Sequence, residues 1–212
     1  MEKELETLVS TFLKEGIIRF GAFRWKLHEK NPDVPLIPMY TNLRLLRSYP
    51  MIMRAAMEVY EHYINQSGRP DLLADVPTAA TPIVSILMDR TGIPMISPRK
   101  DEKTHGIYTA IDGKFQGGQT VLLIDDVLSL ADSKLEVIDI LRRNNLIVER
   151  VLVFLDYEIG GEEKLKEVSC TLQAAIKIGK LLSFCLKEGT ISRQQHEEIT
   201  STFQAVKTYF CK

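Results

Sequence analysis

Residues 121–133, VLLIDDVLSLADS, carry four consecutive apolar residues into two adjacent carboxylates, Asp125 and Asp126, and then offer hydroxyls at Ser129 and Ser133. Tandem carboxylates accept hydrogen bonds from neighbouring hydroxyls of the kind a sugar presents. If LADS opens a helix, the free N–H groups of its first turn can receive a phosphate. In open parallel sheets, ligands sit beyond the carboxyl ends of the strands, which is where this pair falls. The stretch alone leaves a plainer reading open, with Asp125 as a strand-end acid and Asp132 as the N-cap of the next helix.

A second segment, PRKDEKTHGIY at 98–108, sets Arg99, Lys100, Lys103 and His105 in a polar stretch ahead of Gly106. Cations this dense can clamp a diphosphate and neutralise charge developing on a leaving group. A solvated loop would account for the lysines equally well. The polar composition predicts that residues 99–113 have little to bury and take their order from an anion or a partner.

The elements that must hold these groups follow an α/β rhythm. Leu5, Leu8, Val9, Phe12 and Leu13 share one helical face, and Gly16 ends that helix. GIIRFGAFRWKL predicts short strands turning at Gly21, with Trp25 as packing, and NPDVPLIP predicts a loop. Pro50 suits the first turn of a helix to about Gln66. Strands are expected at LLADV, IPMIS, TVLLIDDV, VERVLVFLDYE and CTLQAAI, with helices at PIVSILMDRTG, from Asp132 to Asn145 and at EEKLKEV. The chain is helical from Ile176 onward, with Ser192 as a cap. Apolar runs alternating with helical patterns predict a mainly parallel central sheet flanked by helices in a single domain, 1–212. Residues 1–40 and part of the C-terminal region are expected to cap the strand ends.

Composition narrows the function classes. With 212 residues, 45% of them hydrophobic, and a formal net charge of −1, the chain can bury its own core and has no basic face for nucleic acid. Cys170, Cys185 and Cys211 show neither CxxC spacing nor a histidine pair, which argues against a disulfide framework or a zinc site and for a cytoplasmic setting. His28, His62 and His196 have no partners at metal-ligand spacing and read as surface or helix-face residues. No secretion signal or membrane-spanning run is expected.

Taken together, these segments resemble the type I phosphoribosyltransferases, most closely the orotate phosphoribosyltransferase group, over nearly the whole chain. RKDEKTHG matches the catalytic loop pattern R-K-x-x-K-x-H-G, and LLIDDV the first half of the ribose-phosphate motif. IIRFGAFRWK resembles the opening hairpin, PMYTNLR the base-side loop and VPTAATP the diphosphate loop. The resemblance implies transfer of the phosphoribosyl group of phosphoribosyl diphosphate to orotate or a related pyrimidine base. It implies Arg99, Lys100, Lys103 and His105 at the diphosphate, Asp125 and Asp126 at the ribose, and Ser129, Ala131, Asp132 and Ser133 around the 5′-phosphate. Lys26, Met39, Tyr40 and Tyr157 would face the base. Mg²⁺ would be held mainly by the diphosphate, and loop 99–113 would act across a homodimer interface.

Three residues depart from that pattern. Ala131 stands where glycine is usual, Asp132 where a hydroxyl residue is usual, and Tyr157 where an arginine is associated with orotate's carboxylate. Alanine restricts φ and ψ, a charged Asp132 opposes a dianion, and a phenol does not replace a bidentate guanidinium. These changes keep a second class in view, a catalytically degenerate paralogue with a binding or regulatory role.

Overall fold

The computed structural model describes residues 2–66, 68–99 and 110–211. Helix α1 (Glu2–Lys14) leads into strand β1 (Ile18–Phe23), a short helix α2 (Leu27–Lys30), strand β2 (Ile37–Thr41) and a 3-10 turn at Leu43–Ser48. Helix α3 (Pro50–Gln66) follows, then β3 (Leu72–Asp75), α4 (Thr81–Thr91), β4 (Met95–Pro98), β5 (Ile111–Asp112) and β6 (Thr120–Leu128). The chain continues through α5 (Asp132–Arg143), β7 (Ile147–Asp156), α6 (Gly161–Glu167), β8 (Thr171–Lys177), α7 (Ile178–Lys187) and α8 (Arg193–Phe210).

The main sheet has the order β5-β4-β3-β6-β7-β8, parallel throughout except for the β4–β5 edge. From β3 the chain steps outward to β4, then returns to place β6 on the other side of β3. The strand order therefore reverses between β3 and β6, and a crevice opens beyond their carboxyl ends. Strand β6 is apolar on both faces because both are covered. Leu122 and Ile124 join α1, α3, α4, α7 and α8 in one core, while Val121 and Leu123 join α5 and α6 in the other.

Helix boundaries follow local chemistry. Ser192 caps α8 with a reciprocal bond pair to Gln195. Gly92 ends α4 in the left-handed region at φ 62°.

The first fifty residues correct three expectations. Gly21 does not turn the chain. Strand β1 runs through it with an irregularity between the pairs Phe20–Met39 and Phe23–Ile37, and Gly21 takes φ 156°. The partner strand β2 begins inside the proline-rich stretch, at Ile37, so the predicted loop is shorter. His28 is buried. Its Nδ1 accepts from the Trp25 N–H at 2.9 Å and its Nε2 reaches the Pro35 carbonyl at 3.2 Å, which fixes the segment carrying Trp25 and Lys26.

Candidate active site

The crevice at the β3–β6 reversal holds two adjoining cavities of about 400 and 410 Å³. Trp25, Lys26, Ser129, Ser133 and Lys134 line both. The first continues along Ala131 and Asp132 to Lys164, and the second along Asp125 and Asp126 to Tyr40, Thr41, Arg44 and Tyr157, with Val76, Pro77 and Ala79 on the β3 side. Arg47 steadies that side by donating to the Thr78 carbonyl at 2.9 Å.

The acid pair is split in its surroundings. Asp125 is buried, and its Oδ2 forms an ion pair with the buried Lys134 ammonium. Its Oδ1 accepts from the Asp126 N–H at 2.9 Å, and the Tyr60 phenol donates to its carbonyl at 2.9 Å. Asp126 is only half-buried and turns one oxygen, Oδ1, to the Val127 N–H at 2.8 Å. Burial, reinforced by the neighbouring Asp125 charge, pushes the Asp126 carboxyl up to about 7.

Beyond β6 the backbone turns through Ala131, which sits in the left-handed region at φ 65° and is buried. An alanine thus occupies a conformation that glycine adopts freely. The turn is hemmed in from behind: a Cβ on Gly161 would lie 2.3 Å from the Ser129 carbonyl oxygen, so α6 can approach the loop this closely only with glycine there. Asp132 is the first helical residue and not the N-cap, and no side chain caps this end of α5. Its exposed carboxylate pairs with Lys164 Nζ at 3.0 Å. That corrects the reading of Asp132 as the N-cap of this helix.

The remaining residues singled out from sequence divide as follows. Lys26 and Tyr40 are exposed and line the crevice. Tyr157 is buried at its base, with its phenol oxygen accepting from the Thr41 N–H at 3.2 Å. Its ring stands edge-on to Trp25 at 4.5 Å and stacks on Phe203 at 5.8 Å, and burial raises the phenol pKa well above its ordinary value. Met39 faces the opposite way: it is fully buried in the core, because the strand alternation that turns Tyr40 outward turns its neighbour inward. Arg99 forks onto Asp112, with Nε 2.7 Å from Oδ2, and is absent from the lining of both cavities. That bond raises the Arg99 pKa. Lys100, Lys103 and His105 lie outside the described residues.

Lys134 is the site residue that sequence reasoning missed. It begins the buried stripe Lys134, Val137, Ile138 and Leu141 of α5, and a cation at the head of an apolar stripe was the available signal. Among the described residues no group of three or more His, Cys, Asp or Glu side chains could hold a metal ion. No helix among the described residues is long and apolar enough to cross a membrane.

A crevice at the reversal point of a parallel sheet, with an acid pair, a hydroxyl-bearing turn and an open helix N-terminus in succession, defines a type I phosphoribosyltransferase. No family model matches the chain. It is 31% identical to the orotate phosphoribosyltransferase of Pyrobaculum islandicum, over 75% of this chain and 79% of that one. It is 29% identical to the orotate phosphoribosyltransferase of Caenorhabditis elegans, over 77% and 73%. The UMP synthase structure of Leishmania donovani superposes with a TM-score of 0.80 at 29% identity, covering 94% of this chain and 42% of that longer one. The chain belongs to the orotate phosphoribosyltransferase family. Relatives named as enzymes do not favour a degenerate regulatory paralogue.

Proposed function

We propose that the chain transfers the phosphoribosyl group of phosphoribosyl diphosphate to orotate or a related pyrimidine base, giving the 5′-mononucleotide and diphosphate. The observation that carries this reading is the succession along one wall of the crevice of Asp126, the Ser129 to Ser133 turn and the first turn of α5. That order suits a ribose with its 5′-phosphate beside it.

In this reading Asp126 accepts from a ribose hydroxyl. Ser129, Ser133 and the uncapped N–H groups of α5 receive the 5′-phosphate, and the backbone of Val76 to Ala79 borders the diphosphate. Lys26, Tyr40 and Tyr157 border the base on the hairpin side. The C1′–diphosphate bond breaks as the base nitrogen forms its bond to the anomeric carbon, the proton of that ring N–H is released to the departing diphosphate or to solvent, and no covalent protein intermediate is required. Lys100, Lys103 and His105 neutralise charge on the leaving diphosphate. A Mg²⁺ ion held mainly through the diphosphate would supply further countercharge there. Arg99, at the head of that segment, forks onto Asp112 within its own subunit. The enzyme acts in the cytoplasm as a homodimer, with residues 99–113 serving the neighbouring subunit's site and with neither nucleic acid nor membrane as partner.

The test is direct. Purified protein is incubated with phosphoribosyl diphosphate, Mg²⁺ and either orotate or uracil, and mononucleotide and diphosphate are quantified by chromatography. Stoichiometric products with one of the two bases are expected, together with loss of turnover in Lys103→Ala at unchanged melting temperature. No product with either base at saturating substrate removes the reading.

A further inference from the structure

We propose that Lys134 is a positioning residue for ribose binding: its ion pair with Asp125 locks that carboxylate inside the protein and favours ionisation of Asp126, the carboxylate that meets the sugar. The proposal rests on the phosphoribosyl reading of the crevice and adds to it a division of labour within the acid pair.

Both oxygens of Asp125 are committed internally, Oδ2 to Lys134 and Oδ1 to the Asp126 N–H. Lys134 is committed as well, since its ammonium also donates to the Val127 carbonyl at 2.6 Å. Asp126 is the more accessible member, and its Oδ2, which accepts no hydrogen bond from the described residues, can meet a hydroxyl of the ligand. A buried ion pair is a poor route to stability, because desolvating two charges offsets their attraction and an apolar pair of the same volume serves as well. The position of Lys134, on an apolar stripe and against the wall shared by both cavities, therefore calls for a role in the site.

That role is electrostatic. Two carboxylates side by side at one strand end do not both ionise readily. Without a buried cation one takes up a proton, and the more accessible Asp126 would then meet a hydroxyl as a poorer acceptor. Burial and Asp125 raise the proton affinity of Asp126, and Lys134 opposes them. The other titratable groups facing Asp126 are Tyr60 from α3, Tyr157 after β7, and Lys26, Tyr40 and Arg44 across the crevice. Burial raises the Tyr60 and Tyr157 phenols and keeps them neutral near pH 7, and Tyr40, Lys26 and Arg44 are exposed, where solvent screens them. Among the described residues Lys134 is the cation that ion-pairs with Asp125.

The experiment is calorimetric titration of phosphoribosyl diphosphate with excess Mg²⁺ into wild-type protein, Lys134→Met, Asp125→Asn and the double variant, from about pH 5.5 to about pH 9. Ionisation of the ligand's own phosphates is common to all four curves, so the differences report the protein. Wild-type affinity should fall on acidification. Lys134→Met should bind about tenfold more weakly at pH 7, with its acid midpoint raised by about one pH unit or more. The double variant, which lacks the Asp125 charge as well, should return toward the wild-type midpoint. If Lys134→Met fails to fold, Asp125→Asn against the double variant carries the same test without an unpaired buried carboxylate: the midpoint should be lower where Lys134 is retained. Coincident midpoints in either comparison overturn the proposal. So does a double variant that binds weakly at every pH, which would make Lys134 a direct ligand contact. Wild-type protein that binds at no pH would instead remove the phosphoribosyl reading itself.

Discussion

The Tyr157 phenol oxygen accepts from the Thr41 backbone N–H at 3.2 Å, joining the end of the main sheet to the hairpin that covers it. The bond is buried, and the Tyr157 ring is held by Trp25 on one side and Phe203 on the other. Tyr157→Phe keeps those ring contacts and leaves the Thr41 N–H without this acceptor. A cost of about 1–2 kcal/mol is expected, which in a chain of this size lowers the melting temperature by roughly 2–8 °C. The KM for the base should rise more than that for phosphoribosyl diphosphate, because the hairpin borders the base side. An unchanged melting temperature would show that the bond holds nothing.

Ala131 supplies a second test, of backbone conformation. At φ 65° a β-branched residue is strongly disfavoured, and the site is also buried. Ala131→Val should lose about 2 kcal/mol or more in thermal unfolding. Ala131→Gly should stay within about 1 kcal/mol of wild type, because release from the left-handed region is offset by the lost methyl group and a freer unfolded chain. Equal melting temperatures for the valine and glycine variants would mean that this turn adopts another conformation in solution.

The acid dependence of folding follows from two carboxyls held above their ordinary range. Burial pushes Asp156 up to about 6, and burial with the Asp125 charge pushes Asp126 up to about 7. Each folded-state value exceeds the unfolded value near 3.8, so between those limits the folded protein binds more protons than the unfolded chain. These two groups therefore add stability as pH falls through about 7 and 6 toward 4, and that increment is lost as pH rises again. Thermal unfolding should show melting several degrees higher near pH 5.5 than near pH 8 from these groups. Asp156→Asn should flatten the lower part of the slope and Asp126→Asn the upper part. A slope that survives in both variants has another origin.

The sequence announced some of this architecture more clearly than the rest, for physical reasons. Helices α1 and α3 and strand β6 carry their burial pattern within a single element, so periodicity alone located them. The β1–β2 hairpin is a pairing between segments separated by a loop, and a bulge at Gly21 and a proline inside β2 erase the local alternation. The inward turn of Met39, expected at the base side, is hidden from sequence for the same reason, since only the pairing register decides which strand residues point inward. Asp125 and Asp126 were legible because a long apolar run leads straight into them, although β6 continues past the pair to Leu128. Lys134 was not, because a lysine near a helix start reads as solvated until the phase of the helix is known.

Asp132 and Lys164 set the final prediction. Their ion pair at 3.0 Å lies in the lining of the cavity where the 5′-phosphate would sit, with Asp132 largely exposed. An incoming dianion is repelled by the carboxylate and attracted by the ammonium, so while the pair is closed the two effects largely cancel. Asp132→Thr, combined with Ala131→Gly, removes the repulsion, frees Lys164 and leaves the α5 N–H groups open. Binding of phosphoribosyl diphosphate should then tighten by on the order of tenfold. Lys164→Ala should do the reverse by leaving Asp132 unbalanced. Both effects should shrink as salt is raised toward 1 M, where the screening length falls to about 3 Å. Calorimetry at low and high salt decides the matter: if Asp132→Thr with Ala131→Gly folds normally and binds no more tightly at low salt, the charge at Asp132 does not oppose the phosphate.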